Sequence, residues 1–460
     1  MASFDSKSQD ILPTSQPFNV NPGPRMYVEG AEIYVPARKR PSTLRRVLRG
    51  LVFIFVSFLL CKWIFASTYS WIKGGGKEFD IHDDHWHYDV PSDLVLDDCV
   101  QGSEWAIDED SGTRFYHIAR TSFDLPLSTD NLFVLSRGWL SGGLLEVVTS
   151  PDQAKDTVTV NIAANYHREY VRDLAKACLV SRSGNQQGVG IFTPTWESGR
   201  HPRSREDTMH FGTTVVFPES SDDSSVVAVK GFETDVPNTA HYVKRLESKI
   251  NFDSVSLKGS NGIINTLSAT KGSLHTSNGA IIGSFNTTTS LYLKTSNAAI
   301  QADVGLLSDS TEPILDARTS NGKIDARLRL TSSAGDGGKF DVSTVTSNSP
   351  VFAIVTDAPI NSTLSLEAKT SNGRAHVSLH PTYEGAFDVG TSKWFSADLN
   401  ILPAADPSGK ERHRTTLYQR QKNLFFGSTL WQEEGRTDKG SGKVNVHTSN
   451  SAVVLDILGN

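Results

Sequence analysis

Residues 273–283 read SLHTSNGAIIG, and their core, Thr276-Ser277-Asn278-Gly279, recurs with small changes through the second half of the chain. Aligned on the asparagine, the copies fall at Asn261, Asn278, Asn297, Asn321, Asn348, Asn372 and Asn450. All seven follow a serine, and six carry threonine before that serine, Gly259 being the exception. Glycine follows at 262, 279, 322 and 373, whereas Ala298, Ser349 and Ser451 follow the others. The steps are 17, 19, 24, 27, 24 and 78 residues, the first five short enough to mark a repeat array.

The flanks give the conformation. Six and four residues before the asparagine stand pairs such as Val255 and Leu257, Leu291 and Leu293, Val342 and Thr344, Val444 and Val446, with mostly polar residues between them. Three residues after it stand Ile264, Ile281, Ile300, Ile324, Val351, Ala375 and Val453, all apolar. Alternation with period two places a half-buried strand on each side of the motif. The inward positions change from even to odd offset across the motif, so the backbone must leave the plain pleat there. A corner is expected, with Asn and Gly supplying the left-handed conformation and Ser and Thr bonding nearby backbone groups.

Asn-Gly also serves as a two-residue hairpin turn. Ala or Ser after three of the asparagines disfavours that reading. The expected fold is therefore all-β, a β-solenoid with stacked Thr-Ser-Asn-Gly corners whose asparagines ladder from one repeat to the next. Strand-like runs at 131–150, 157–163, 213–217 and 226–236 carry the β-domain back to about residue 121. A short helix is expected within 166–180, a polar loop insertion over 403–440, and a last coil at GKVNVHTSNSAVVLDIL closing the array.

The first 120 residues differ in kind. Residues 1–50 hold eight Lys/Arg and four Asp/Glu, six of the cations lying between Arg38 and Arg49, and read as a disordered basic tail. The 22 residues from Leu51 to Ile72 are long enough to span a bilayer as a helix. Lys62 costs about 2.5–3.5 kcal/mol there, roughly offset by the apolar residues of Leu51–Leu60. The expectation is a retained transmembrane helix contacting membrane lipid, with the tail cytosolic and the β-domain extracellular or lumenal, at the plasma membrane by preference. Residues 73–120 read as a juxtamembrane stalk. Its His82, His85 and His87 are weak metal-ligand candidates without partners at zinc-site spacing, so no metal and no cofactor is expected. On the outer side, Asn286 and Asn361 head glycosylation sequons, and Cys99 and Cys178 either pair or stay as free thiols.

The repeat, together with the closing GKVNVHTSNSAVVLDI, resembles the putative-adhesin domain family of bacterial and fungal proteins over roughly residues 121–460. The layout of tail, anchor and domain is similar to fungal single-pass membrane proteins. That resemblance implies a β-solenoid domain and brings no catalytic residues with it.

The net charge of −6 over 460 residues gives no basic footprint for nucleic acid. Nucleophile-elbow, zinc-protease, P-loop and dinucleotide fingerprints are absent from the sequence. Asp303, Asp309, Asp316, Asp325 and Asp357 read as scattered surface residues. The expected function is non-enzymatic: a rigid domain displayed for adhesion, surface structure or the binding of a glycan or protein. The alternative is a carbohydrate-active β-helix enzyme, which requires carboxylates gathered in one groove.

Overall fold

The structure, a computed structural model, describes residues 86–458 apart from 109–116, 196–203, 205, 221–224, 244–245, 247–248, 262–263 and 433–439. The tail, the segment 51–72, His82 and His85 lie outside the described residues. No helix among the described residues is long and apolar enough to cross a membrane.

The described chain is all-β. Strands run from Val95 to Ile457, and the α-helix is limited to Glu169–Asp173. The short helix expected within 166–180 is this one, and the chain passes from it into the strand Lys176–Arg182. Strand also begins inside the stretch read as a stalk, at Val95–Gln101, Ala106–Asp108 and His117–Pro126.

Each repeat contributes one strand to each of two parallel ladders. In the first sheet Ser290–Lys294 pairs with Ile314–Arg318, which pairs with Lys339–Val345, which pairs with Thr363–Thr370. In the second sheet the strands after the motif follow the same order: Ile281–Thr287, Ile300–Ser308, Ile324–Ser332, Val351–Asp357 and Ala375–Leu379. The long strand Ile264–His275 passes from the second sheet, where it pairs with Ile281–Thr287, into the first, where it pairs with Ile250–Lys258. Parallel pairing requires each strand to reach its neighbour by a crossover, and here the partner strand of the other sheet is that crossover.

The inward side chains fill the space between the ladders. Val255, Leu291, Leu315, Val342, Leu366 and Val444 meet Ile281, Ile300, Ile324, Val351, Ala375 and Val453, each no more than 2% exposed. One register slip would turn every one of these to solvent, so the alternation fixes the pairing.

Both ladders continue toward the N-terminus and then change direction. The first runs through Val227–Asp235 and Asn131–Arg137 to Gln186–Phe192, all parallel. Beyond these it adds Lys176–Arg182 and Val95–Gln101 as antiparallel strands. The second runs through Thr239–Val243 and Gly143–Ser150 to Met209–Pro218, then adds antiparallel Thr157–Tyr166, His117–Pro126 and Ala106–Asp108. Cys99 and Cys178 face each other across the antiparallel pair and form a disulfide.

At the other end the chain departs from the expected order. Residues 442–457 do not close the array. Gly442–Thr448 lies between Thr363–Thr370 and Gly385–Gly390, and Val453–Ile457 lies between Ala375–Leu379 and Ala397–Ile401. The terminal level is therefore 385–401, which lacks the Asn motif. The stretch expected as a polar loop contains the antiparallel hairpin His413–Gln421 and Leu424–Gln432, which covers Gly385–Gly390. Phe425 and Trp431 from this hairpin are buried, which ties it to the core.

Candidate functional site

The corners come first, because they hold the two sheets in register. Their asparagines form one exposed ladder. The side-chain nitrogen of Asn278 donates to the oxygen of Asn261 at 2.6 Å, Asn297 to Asn278 at 2.6 Å, Asn321 to Asn297 at 2.7 Å and Asn348 to Asn321 at 2.6 Å. Asn372 continues it onto Asn348 and Asn450 onto Asn372, both at 2.7 Å. Asn261 donates in turn to Asn238, an eighth member without the Thr-Ser prefix, which the sequence motif did not reveal.

The corner threonines are buried and join adjacent levels. Thr346 donates to the Gly322 carbonyl at 3.1 Å, Thr370 to Ser349 at 3.0 Å and Thr448 to Gly373 at 2.8 Å. Thr391 makes the same bond to Ser451 at 2.8 Å, so the terminal level keeps the threonine although Lys393 stands where the asparagine would be.

The expected left-handed backbone is not found. Positive φ occurs at Asn238 but at none of the seven motif asparagines, nor at Gly279, Gly322 or Gly373. The glycines answer a different constraint. A Cβ on Gly322 would stand 1.5 Å from the Ala298 carbonyl oxygen, and one on Gly373 2.0 Å from that of Ser349. Glycine is required because the level below comes too close.

The outer face of the second sheet carries a groove. Two hollows of about 290 and 390 Å³ share Ser284, Asp303 and Arg327. Gln301, Asp325 and Ile282 line one, and Asn286, Arg329 and Thr356 line the other. Two features make the surface dip. Gly305 and Ser284 place almost no side chain at outward positions, and a Cβ on Gly305 would strike the Asn286 oxygen at 2.3 Å. The ladder is also irregular on both flanks, opposite Asn265/Leu267 and at Leu328/Arg329. Bulges of this kind raise local twist and re-aim side chains.

The groove is electrically mixed. Arg327 stands 3.9 Å from Asp303, both more than half exposed, and Lys323 stands 2.7 Å from Asp325. Asp303 and Asp325 are not scattered, as the sequence reading had them. The register sets Asp303 opposite Arg327 and Gln301 opposite Asp325, so the two aspartates are diagonal neighbours on adjacent strands, their Cα atoms about 8 Å apart by strand geometry. Asp316 belongs to the other sheet, where it bonds Arg318 at 2.7 Å.

Beside the groove lies a polar network. His376 bonds Asp456 at 2.6 Å, Ser378 donates to the same carboxylate oxygen at 3.2 Å, and Asn400 donates to the other at 2.7 Å. Burial pushes the Asp456 carboxyl up, but these hydrogen bonds outweigh it and leave the pKa below the ordinary carboxylate value. Although Ser, His and Asp meet here, serine and histidine both bond the aspartate and not each other. That is not the order of a nucleophilic triad.

The remaining sequence candidates are dispersed. His87 is exposed, its carbonyl accepting from Thr195, and no cluster of three metal-ligating side chains occurs among the described residues. Asn361 is exposed in a turn with φ of 59°. Asn286 sits within a strand, its amide donating to Ser268 at 3.1 Å.

No family model matches the chain, and no curated protein matches it. A solved structure described as a putative cell adhesion protein from Clostridium sporogenes aligns with 74% of this chain and 100% of its own, at 8% identity and a TM-score of 0.18. An overlap that loose carries no argument about fold or function.

Proposed function

We propose that the protein is a non-enzymatic display protein whose two ladders are the faces of a rigid β-solenoid, and that the groove over Ser284, Asp303 and Arg327 binds an extended glycan. The observation that carries the reading is the groove itself. It is open and shallow, and it offers amides, carboxylates and guanidinium groups on strands about 4.8 Å apart. Gln301, Asp303, Asp325, Arg327 and Arg329 supply both donors and acceptors with neither charge sign dominant. That suits a polyhydroxylated chain better than a polyanion. The Cys99–Cys178 disulfide supports an oxidising compartment, extracellular or lumenal. An anchor at residues 51–72, in the plasma membrane, completes the proposal and rests on the sequence alone.

A second reading has its own observation. Asp303 and Asp325 line one groove, and acid–base hydrolysis of a glycosidic bond uses two carboxylates in one groove. One experiment separates the two. The full-length chain is screened on a glycan array, and any bound glycan is then sized after incubation. Binding weakened at least tenfold by Arg327→Ala, with the glycan intact, is the expected outcome. No binding, or binding indifferent to Arg327→Ala and Asp303→Asn, sinks the groove as a site. Shortened glycan, with cleavage lost in Asp303→Asn, replaces display with catalysis.

A further inference from the structure

The two sheets do not end together. In the first, Gly385–Gly390 is covered on its far side by Leu424–Gln432 and that strand by His413–Gln421. In the second, Ala397–Ile401 pairs with Val453–Ile457 on one side, and no described strand pairs with its other side. The backbone direction follows from two hydrogen bonds. Val453 donates to the Ser396 carbonyl and Leu402 donates to the Ile457 carbonyl, both at 3.0 Å. Even-numbered residues therefore face the neighbouring strand. Ala397, Leu399 and Ile401 turn their N–H and C=O groups toward the open side.

An open edge of this kind is usually guarded by lysine, proline or a bulge. Residues 397–401 read ADLNI and contain none of these. Around the edge lie exposed apolar side chains instead: Trp394 at 80%, Leu402 at 46%, Phe395 at 40% and Ile401 at 38%.

We propose that this edge docks on the same edge of a second copy of the chain, as an antiparallel pair with its two-fold axis at Leu399. The strand is self-complementary in that register. Leu399 meets Leu399, Ala397 meets Ile401, and the three pairs use the backbone groups that face outward. Asp398 meets Asn400, an acceptor against a donor, with no like charges opposed. Asn400 already gives one amide hydrogen to Asp456, and its second is directed to Asp398 of the other copy. Such a contact is isologous and closes at two. It is independent of what the groove binds.

Asp398 and Asn400 form non-hydrogen-bonded pairs in this arrangement, the pairs in which side chains approach closest. The double variant Asp398→Cys/Asn400→Cys of the full-length chain is therefore expected to run as a disulfide-linked dimer on a non-reducing gel. Each single variant is expected to run as wild type, because neither places two cysteines opposite each other. Mass measurement of the solubilised wild-type chain is expected to give a dimer, and Ile401→Lys to weaken it at least tenfold. Peptide mapping of the intact Cys99–Cys178 bond verifies that each variant is folded. A monomeric wild type, a folded double variant without dimer, or equal cross-linking in the single variants would overturn the proposal.

Discussion

At the scale of the residue, the corner shows how one position answers to its neighbour in the stack. Gly322 is held by the carbonyl of Ala298, which leaves no room for a Cβ. Gly322→Ala is expected to destabilise by about 2 kcal/mol or more through forced backbone displacement. Thr346→Val, nearly the same shape, leaves the Gly322 carbonyl without its hydroxyl donor and is expected to cost about 1–3 kcal/mol. Asn321→Ala removes solvent-exposed bonds and costs less than about 1 kcal/mol. Denaturation midpoints check the order; an asparagine substitution more costly than the glycine one would mean that the exposed ladder governs the corner.

A second residue reports on pH. His241 is 2% exposed, with Nε2 2.8 Å from the Thr234 hydroxyl. Burial pushes its pKa down from 6.5 to about 4. The unfolded chain therefore binds the proton first as pH falls. Stability contributed by neutral His241 is complete above about pH 6.5 and is lost progressively toward pH 4, up to about 3 kcal/mol. Unfolding measured across this window is expected to show that loss in the wild type and a flatter slope in His241→Asn. An unchanged slope would mean that His241 takes up its proton without loss of packing.

At the scale of the element, position in the chain and position in the stack disagree. Val453–Ile457 is nearly the last stretch of sequence, where fraying is the usual expectation. Yet it is paired on both sides, and Leu455 and Ile457 are fully buried. Ala397–Ile401 lies earlier in the chain but forms the terminal level. In the Ile401→Lys variant, where the docked copy is weakened, amide exchange is therefore expected to be slow over 453–457 and faster over the outward N–H groups of 397, 399 and 401. Leu455→Ala is expected to cost about 2–5 kcal/mol, more than Leu399→Ala. Faster exchange at 453–457 than at 397–401 would remove the inserted position. The same inversion explains why the sequence did not give the order of levels: alternation reports which face is buried, not which neighbour is beside it.

At the scale of the whole molecule, regular parallel ladders form the middle of the described residues, with antiparallel strands added at both ends. The groove falls in the middle, between two irregularities of the second sheet. Its residues were visible in the sequence as polar positions of a strand pattern, but nothing there gathered Asp303, Asp325 and Arg327 from different repeats. The network of His376, Ser378, Asn400 and Asp456 was invisible for the same reason, since its members lie up to 80 residues apart. Cys99 and Cys178, separated by 79 residues, meet through the antiparallel pairing of strands that carry no repeat motif.

By itself the sequence determined the strands that flank the motif, their buried faces, the corner between them and the laddering of its seven asparagines. These follow from local alternation and from one motif repeated at short spacing, both written in consecutive residues. Tertiary structure alone decided that glycine serves close approach and not left-handed backbone, that Asn238 joins the ladder, that the last segment lies inside the array, and that one sheet ends open. Each of those depends on which backbone lies within a few ångströms, and contacts between distant segments leave no period in the chain to read.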